Sequence, residues 1–234
     1  PTYIGFTRCL ENNGYKIIHS PLVKDEANVW RMDFADMERR LQEEHIHAAI
    51  LCNPHNPCGR VWEKWELEKA MELFRKYDVY VISDEIWSDI ILDTNHHTPT
   101  QSISDDARNR VCAFYAPSKT FNLAGLQASN IWIPGEEIRK RFVREMSRCG
   151  YSGLNRMGLI ACQAAYEGGG DWLDGCRTYL RDNLYFLRAF LAERIPQVRL
   201  VEPEGTYFAW LDCSGLGLSQ EALDELIIRR AKLW

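Results

Sequence analysis

No apolar run in this chain of 234 residues approaches the ~20 that cross a bilayer as a helix, and no signal-peptide pattern opens it. The six histidines contain no H-E-x-x-H or comparable ligand spacing. The eight cysteines (Cys9, Cys52, Cys58, Cys112, Cys149, Cys162, Cys176 and Cys213) contain no C-x-x-C pair. The expectation is therefore buried free thiols in a reducing, cytoplasmic compartment, with no structural metal and no membrane partner. Basic excess is missing too, since a formal net charge of −5 gives no electrostatic case for nucleic acid. Internal repeats and low-complexity tracts are absent.

What is present is the balance of a globular chain able to bury a substantial core, with 46% hydrophobic and 26% charged residues. The first residue is Pro1 rather than methionine. Trp234 follows directly on an apolar helical pattern without a cap, so the chain reads as a fragment of a longer polypeptide.

Apolar strand-like runs alternate with helical patterns. Strands are predicted at 15–19, 48–52, 79–82, 111–115 and 129–133. Helices are predicted up to Asn12-Asn13-Gly14, over 33–44 with Asp33 as cap and Met37 and Leu41 on one face, and over 62–77. This alternation predicts an α/β fold, a mostly parallel sheet with helices on both faces. Further helices are predicted at 136–148, 154–166 and 172–194, then a strand pair at 198–201 and 207–211 and a helix at 219–231. The 172–194 helix is read as the connection from a large domain, 1–195, to part of a smaller α+β domain, 196–234.

In open parallel sheets, ligands bind beyond the carboxyl ends of the strands. Three polar runs follow directly on predicted strands and should converge there: Asn53-Pro54-His55-Asn56-Pro57-Cys58-Gly59-Arg60, Ser83-Asp84-Glu85-Ile86-Trp87 and Ala116-Pro117-Ser118-Lys119-Thr120. A lysine at a strand's carboxyl end, among small and hydroxyl-bearing residues, is poorly explained by solubility. It is well explained as an amine that forms a Schiff base with an aldehyde cofactor. His55 and Cys58 read as structural, and Lys24, Lys64 and Lys76 as solvated surface.

With Tyr3 ahead of them, these runs stand in an order and spacing that resembles the fold-type I pyridoxal-phosphate enzymes, the aspartate-aminotransferase superfamily, over essentially the whole chain. The runs N-P-H-N-P-x-G-R, D-E-I and P-S-K-T-F-N-x-A-G-L-Q are most similar to the cystathionine β-lyase (MalY/PatB) group. The resemblance implies pyridoxal 5′-phosphate as cofactor and 1–195 as its binding domain, short of the family's N-terminal part. It implies Lys119 as the Schiff-base lysine and general base, and Asp84 as the partner of the protonated ring nitrogen. Asn56 would donate to the phenolic oxygen and the substrate carboxylate, Tyr3 would stack on the pyridine face, and Ser118 would hold part of the phosphate. Trp87 stands where relatives usually carry Tyr or His, and its indole donates but cannot accept. Ala116 replaces the usual second hydroxyl, and Gln127 stands where aminotransferases commonly carry arginine.

The activity so implied is a carbon–sulfur β-lyase acting on cystathionine or cysteine-type thioethers, an amino-acid substrate, in a homodimer of the full-length protein. A class I/II aminotransferase shares every step through removal of the α-proton and stands as the alternative. A third reading is an inactive fragment serving as a binding module, because the family's C-terminal carboxylate-binding arginine and partner-subunit residues do not lie visibly within 1–234.

Overall fold

The computed structural model describes residues 2–233; Pro1 and Trp234, the ends read as cut, lie outside them. Helix α1 (Ile4–Asn12) ends at Asn13 and Gly14, whose φ of +75° suits a residue without Cβ. The strand predicted at 15–19 is irregular instead, because a strand needs a ladder partner and none of the described strands runs beside it. A short antiparallel ladder follows, β1 (Val23–Lys24) with β2 (Trp30–Arg31). Asp33 then caps α2 (Phe34–Glu43), its carboxylate accepting from the Asp36 N–H at 3.0 Å, and Met37 and Leu41 are buried as their spacing requires.

The central sheet is built from β3 (Ala48–Cys52), β4 (Tyr80–Asp84), β5 (Val111–Tyr115) and β6 (Asn130–Trp132), in that spatial order. The first three run parallel. β6 is antiparallel to β5, and the chain between them carries a four-residue helix and a short turn. Helix α3 (Lys64–Lys76), between β3 and β4, buries Leu67, Ala70, Met71 and Phe74 against Leu51, Val79, Val81 and Val111. Each of the larger side chains among these contributes about 1.5–3 kcal/mol of burial. Helix α4 (Asp105–Arg110) closes the same layer through Ala107. The other face of β4 is only partly covered among the described residues: Val81 and Ser83 point into the core, while Tyr80 and Ile82 are 40% and 37% exposed.

After α5 (Pro117–Thr120) and β6 come α6 (Glu136–Arg148), α7 (Arg156–Gly168) and the long α8 (Gly170–Arg194). All eight cysteines are free; Cys52 and Cys58 are buried as expected, whereas Cys9 in α1 and Cys149 just after α6 are exposed, on helices that bury no residue. Strands β7 (Arg199–Val201) and β8 (Trp210–Asp212) form an antiparallel pair. The predicted 207–211 strand starts late because Tyr207 and Phe208 turn onto Trp87. The predicted final helix is α9 (Gln220–Asp224) running into a wider π-wound stretch, Glu225–Arg230. Among the described residues no helix is long and apolar enough to cross a membrane.

The segment between β7 and β8 crosses back into the α/β layer. Gly59 O accepts from Glu204 N and Gly205 N at 2.9 and 3.0 Å, Leu92 N donates to Glu204 O, and Thr206 N donates to Ile90 O. Arg60, only 4% exposed, pairs with the Glu204 carboxylate and, at 2.5 Å, with fully buried Glu66. Gly59 has φ +73°, and a Cβ there would sit 2.6 Å from the Pro203 side chain, so glycine alone admits this approach. Removing one member of a buried ion cluster strands the others. Arg60→Met in the full-length protein is therefore expected to cost about 3–5 kcal/mol in urea unfolding, and adding Glu66→Gln is expected to restore part of that loss.

Candidate active site

The ends of the parallel strands lie in register, with Cys52 beside Asp84 and Asp84 beside Phe114. One residue further on, Asn53 N donates to Asp84 O and Glu85 N donates to Phe114 O, both at 2.9 Å. Three loops therefore leave the sheet side by side, carrying Asn56, Trp87 and Lys119. The convergence expected from the sheet rule is present for these three runs.

Asp84 and Glu85 are consecutive acids with opposite environments. Glu85 points into the core. Its Oε1 accepts from Ser83 Oγ at 2.8 Å and Thr100 N at 2.9 Å. Its Oε2 accepts from Tyr115 Oη at 2.6 Å and lies 2.9 Å from His97 Nε2. Burial opposes ionisation of Glu85, but His97, Tyr115 and Thr100 outweigh it and hold the carboxyl below its ordinary value. Asp84 faces the site with fewer donors: Oδ1 accepts from Ile86 N at 3.1 Å, and Oδ2 has no protein donor among the described residues. Burial and the charge of Glu85 push Asp84 up, against the Ile86 N–H and the nearby Lys119 ammonium.

Lys119 sits in α5, a single turn opened by Pro117, with Nζ 5.6 Å from the centre of the Trp87 ring. Trp87 is 2% exposed and is wedged edge-on against Tyr207 at 4.5 Å and Phe208 at 5.3 Å. Its indole is thus the wall of the site, clamped from the C-terminal segment. Ser118 is half-buried, and its carbonyl accepts from Leu123 N at 3.1 Å. Asn56 is half-buried in a loop bracketed by the buried Pro54 and by Cys58.

Tyr3 is placed less centrally. It precedes α1, is 50% exposed, and meets Phe6 edge-on at 5.3 Å. His55 and Cys58 are 3.0 Å apart, yet burial lowers the imidazole to about 4 and raises the thiol to about 11, so both stay neutral near pH 7. Such a pair neither generates a thiolate nor carries a proton. Gln127 takes a left-handed conformation at φ 54° just after the turn that follows α5.

A half-buried carboxylate with a spare oxygen near an amine can hold a protonated ring nitrogen and an aldehyde carbon on one flat ligand. The comparisons with known proteins agree with that chemistry. Residues 1–233 match the family described as aminotransferase class I and II. The chain belongs to the class I and II aminotransferase family. Within this family it is 42% identical over 233 residues to the cystathionine beta-lyase PatB of Bacillus subtilis (strain 168), covering 100% of this chain and 60% of that protein. Its structure matches a PLP-bound putative aminotransferase from Clostridium difficile 630, with TM-score 0.96 and 39% identity. It also matches cystalysin from Treponema denticola, which contains a pyridoxal 5′-phosphate cofactor, with TM-score 0.94 and 36% identity. These two matches cover all of this chain and 60% and 59% of theirs, so the chain spans about 60% of the length of such family members.

Some participants escape motif reading in this family member. Glu85 was visible only as the middle letter of D-E-I, although an acid one residue past a buried strand end must find donors. Tyr207 and Phe208 looked like sheet residues.

Because folding raises the Asp84 pKa, the folded chain binds this proton more tightly than the unfolded one. Stability from this group therefore falls as pH rises from the ordinary carboxylate value of 3.8 through the raised one. Asp84→Asn is expected to flatten the slope of Tm against pH across that window in the cofactor-free full-length protein, and to raise the Tm above it, as measured by calorimetry.

Proposed function

We propose that the whole protein is a pyridoxal-phosphate-dependent carbon–sulfur β-lyase that converts a thioether amino acid and water into a thiol, pyruvate and ammonia. The observation that carries this reading is Asp84, a half-buried carboxylate with one uncommitted oxygen, within electrostatic reach of Lys119. The residues fit the cofactor: Asp84 Oδ2 for the ring N–H, Lys119 Nζ for the aldehyde carbon, Asn56 for the phenolic oxygen, Ser118 for part of the phosphate and Tyr3 for the ring face. Bound there, pyridoxal phosphate supplies an electron sink for the pair left at the substrate's Cα.

The chain's own residues do the rest. Asp84 keeps the ring nitrogen's proton in place, and Glu85, already saturated with donors, leaves that proton uncontested. Asn56 orients the substrate carboxylate. Lys119 would take the α-proton of the substrate with Nζ. Trp87, held by Tyr207 and Phe208, keeps water from that side of the amine. The Cβ–S bond then breaks with its electron pair on sulfur, which leaves as the thiol after gaining a proton, and hydrolysis of the remaining fragment yields pyruvate and ammonia.

We divide the chain into a cofactor-binding part, 1–195, and part of a smaller domain, 196–234. A homodimer is supported by apolar residues left open on α7 and α8, such as Met157, Leu159 and Phe186. A cytoplasmic setting is supported by the eight free thiols. The second reading, a transaminase, is favoured by the match to a putative aminotransferase; it differs in where Lys119 returns the proton and in what sits at Cβ, the Cβ bond staying intact while the amino group passes to a keto acid. The third, an inactive binding module, draws on the 60% coverage of relatives.

Full-length protein incubated with cystathionine is expected to release pyruvate and a thiol without a keto-acid acceptor, and Lys119→Ala is expected to abolish both release and the visible cofactor absorbance. Consumption of a keto acid with no pyruvate would establish the transaminase, and no absorbance in the wild type would establish the binding module.

A further inference from the structure

Asp89 and Arg177 lie outside every motif, yet they meet directly beneath the lysine turn. Thr120, fully buried and adjacent to Lys119, donates its hydroxyl to Asp89 Oδ2 at 2.8 Å. The backbone carbonyl of Asp89 accepts two bonds from one guanidinium, Arg177 Nε at 2.9 Å and Nη2 at 2.5 Å. Arg177 belongs to α8 and is itself oriented by Asp174, which accepts from Nη1 at 2.9 Å. A bidentate guanidinium fixes both distance and plane, which a single bond cannot.

The turn is seated on the same helices from its other side. Phe121 packs edge-on against Tyr166 of α7 at 5.4 Å and lies 6.0 Å from Trp172 of α8. A Cβ on Gly169, between those helices, would come 2.5 Å from the Phe121 ring, so the α7–α8 joint is shaped around it. α5 has only one turn and cannot hold its own position by internal hydrogen bonds. Its place is therefore set from α8.

We propose that Arg177 and Asp89 are positioning residues: Arg177 fixes the Asp89 backbone, and the Asp89 carboxylate fixes Thr120 and thereby the angle at which Lys119 Nζ meets its reaction partner. The proposal rests on Lys119 being the residue that binds the cofactor aldehyde. It makes the reactivity of the amine depend on the long helix, through two contacts that touch neither substrate nor cofactor.

Thr120→Val tests it most sharply, because it removes one hydroxyl and keeps the volume. The full-length protein is prepared as wild type, Thr120→Val, Thr120→Ser, Arg177→Met and Lys119→Ala. Each is stripped of cofactor and mixed with pyridoxal phosphate, and covalent capture at Lys119 is followed by absorbance and by peptide mass after borohydride. Turnover of cystathionine is measured in parallel. Thr120→Val and Arg177→Met are expected to slow capture about 10-fold or more and to lower kcat about 10- to 100-fold, with KM within about 3-fold of wild type. Thr120→Ser is expected to restore both rates. Wild-type capture and kcat in Thr120→Val or in Arg177→Met, with Lys119→Ala failing to capture, would overturn the relay alone. Capture in Lys119→Ala would overturn the assignment of the lysine beneath it. Should Thr120→Val not fold, Arg177→Met decides by the same readings, since that side chain is 35% exposed on α8.

Discussion

A buried guanidinium holds this structure to one arrangement. Arg60 sits where water cannot compensate it, so it must be met by carboxylates from the protein itself. One, Glu66, is also the acceptor for the Glu63 N–H at the start of α3. A second, Glu63, lies 3.7 Å away, and a third, Glu204, arrives from more than a hundred residues downstream and also accepts from Val61 N at 2.8 Å. Such a cluster is weak evidence for high stability, since an apolar replacement of equal volume often does as well. What it imposes is geometry: the chain after β7 has to enter beside Gly59, and no shifted register satisfies Arg60.

Two parts of the site inherit that geometry. The loop carrying Asn56 is closed at its far end by Gly59 and Arg60, so its path from β3 is fixed at both ends. The same incoming segment continues into Tyr207 and Phe208, which clamp Trp87 beside Lys119. The aromatic wall of the site and the polar loop opposite it are thus set by one ion cluster, although 144 residues separate Arg60 from Glu204.

Much of this was legible in the residues. The runs at 48–52 and 111–115 are strands over those same residues, because near-continuous apolar segments ended by Asn-Pro and Ala-Pro leave no other element to form. The positions of Asp84, Asn56 and Lys119 at strand ends followed from the same pattern. What escaped depended on long-range pairing. Tyr15 to His19 has strand composition but no described neighbour, and Tyr207 alternates like a strand residue yet spends its ring on Trp87. Asp89, Thr120 and Arg177 each look like ordinary surface or helix residues until the fold brings positions 89, 120 and 177 together.

The contrast between Asp84 and Glu85 shows why local sequence is the wrong scale for assigning chemistry. Both are acids at the end of one strand, and strand alternation sends them to opposite sides. Glu85 finds Ser83, Thr100, His97 and Tyr115, and it becomes a fixed negative charge that binds the 97–101 loop to the sheet. Asp84, short of donors and raised in pKa first by burial, is raised further by that fixed charge next door. A carboxylate in that condition gains most from a cationic N–H donor brought by a ligand. Saturation of one acid by the core is what leaves its neighbour available to the site.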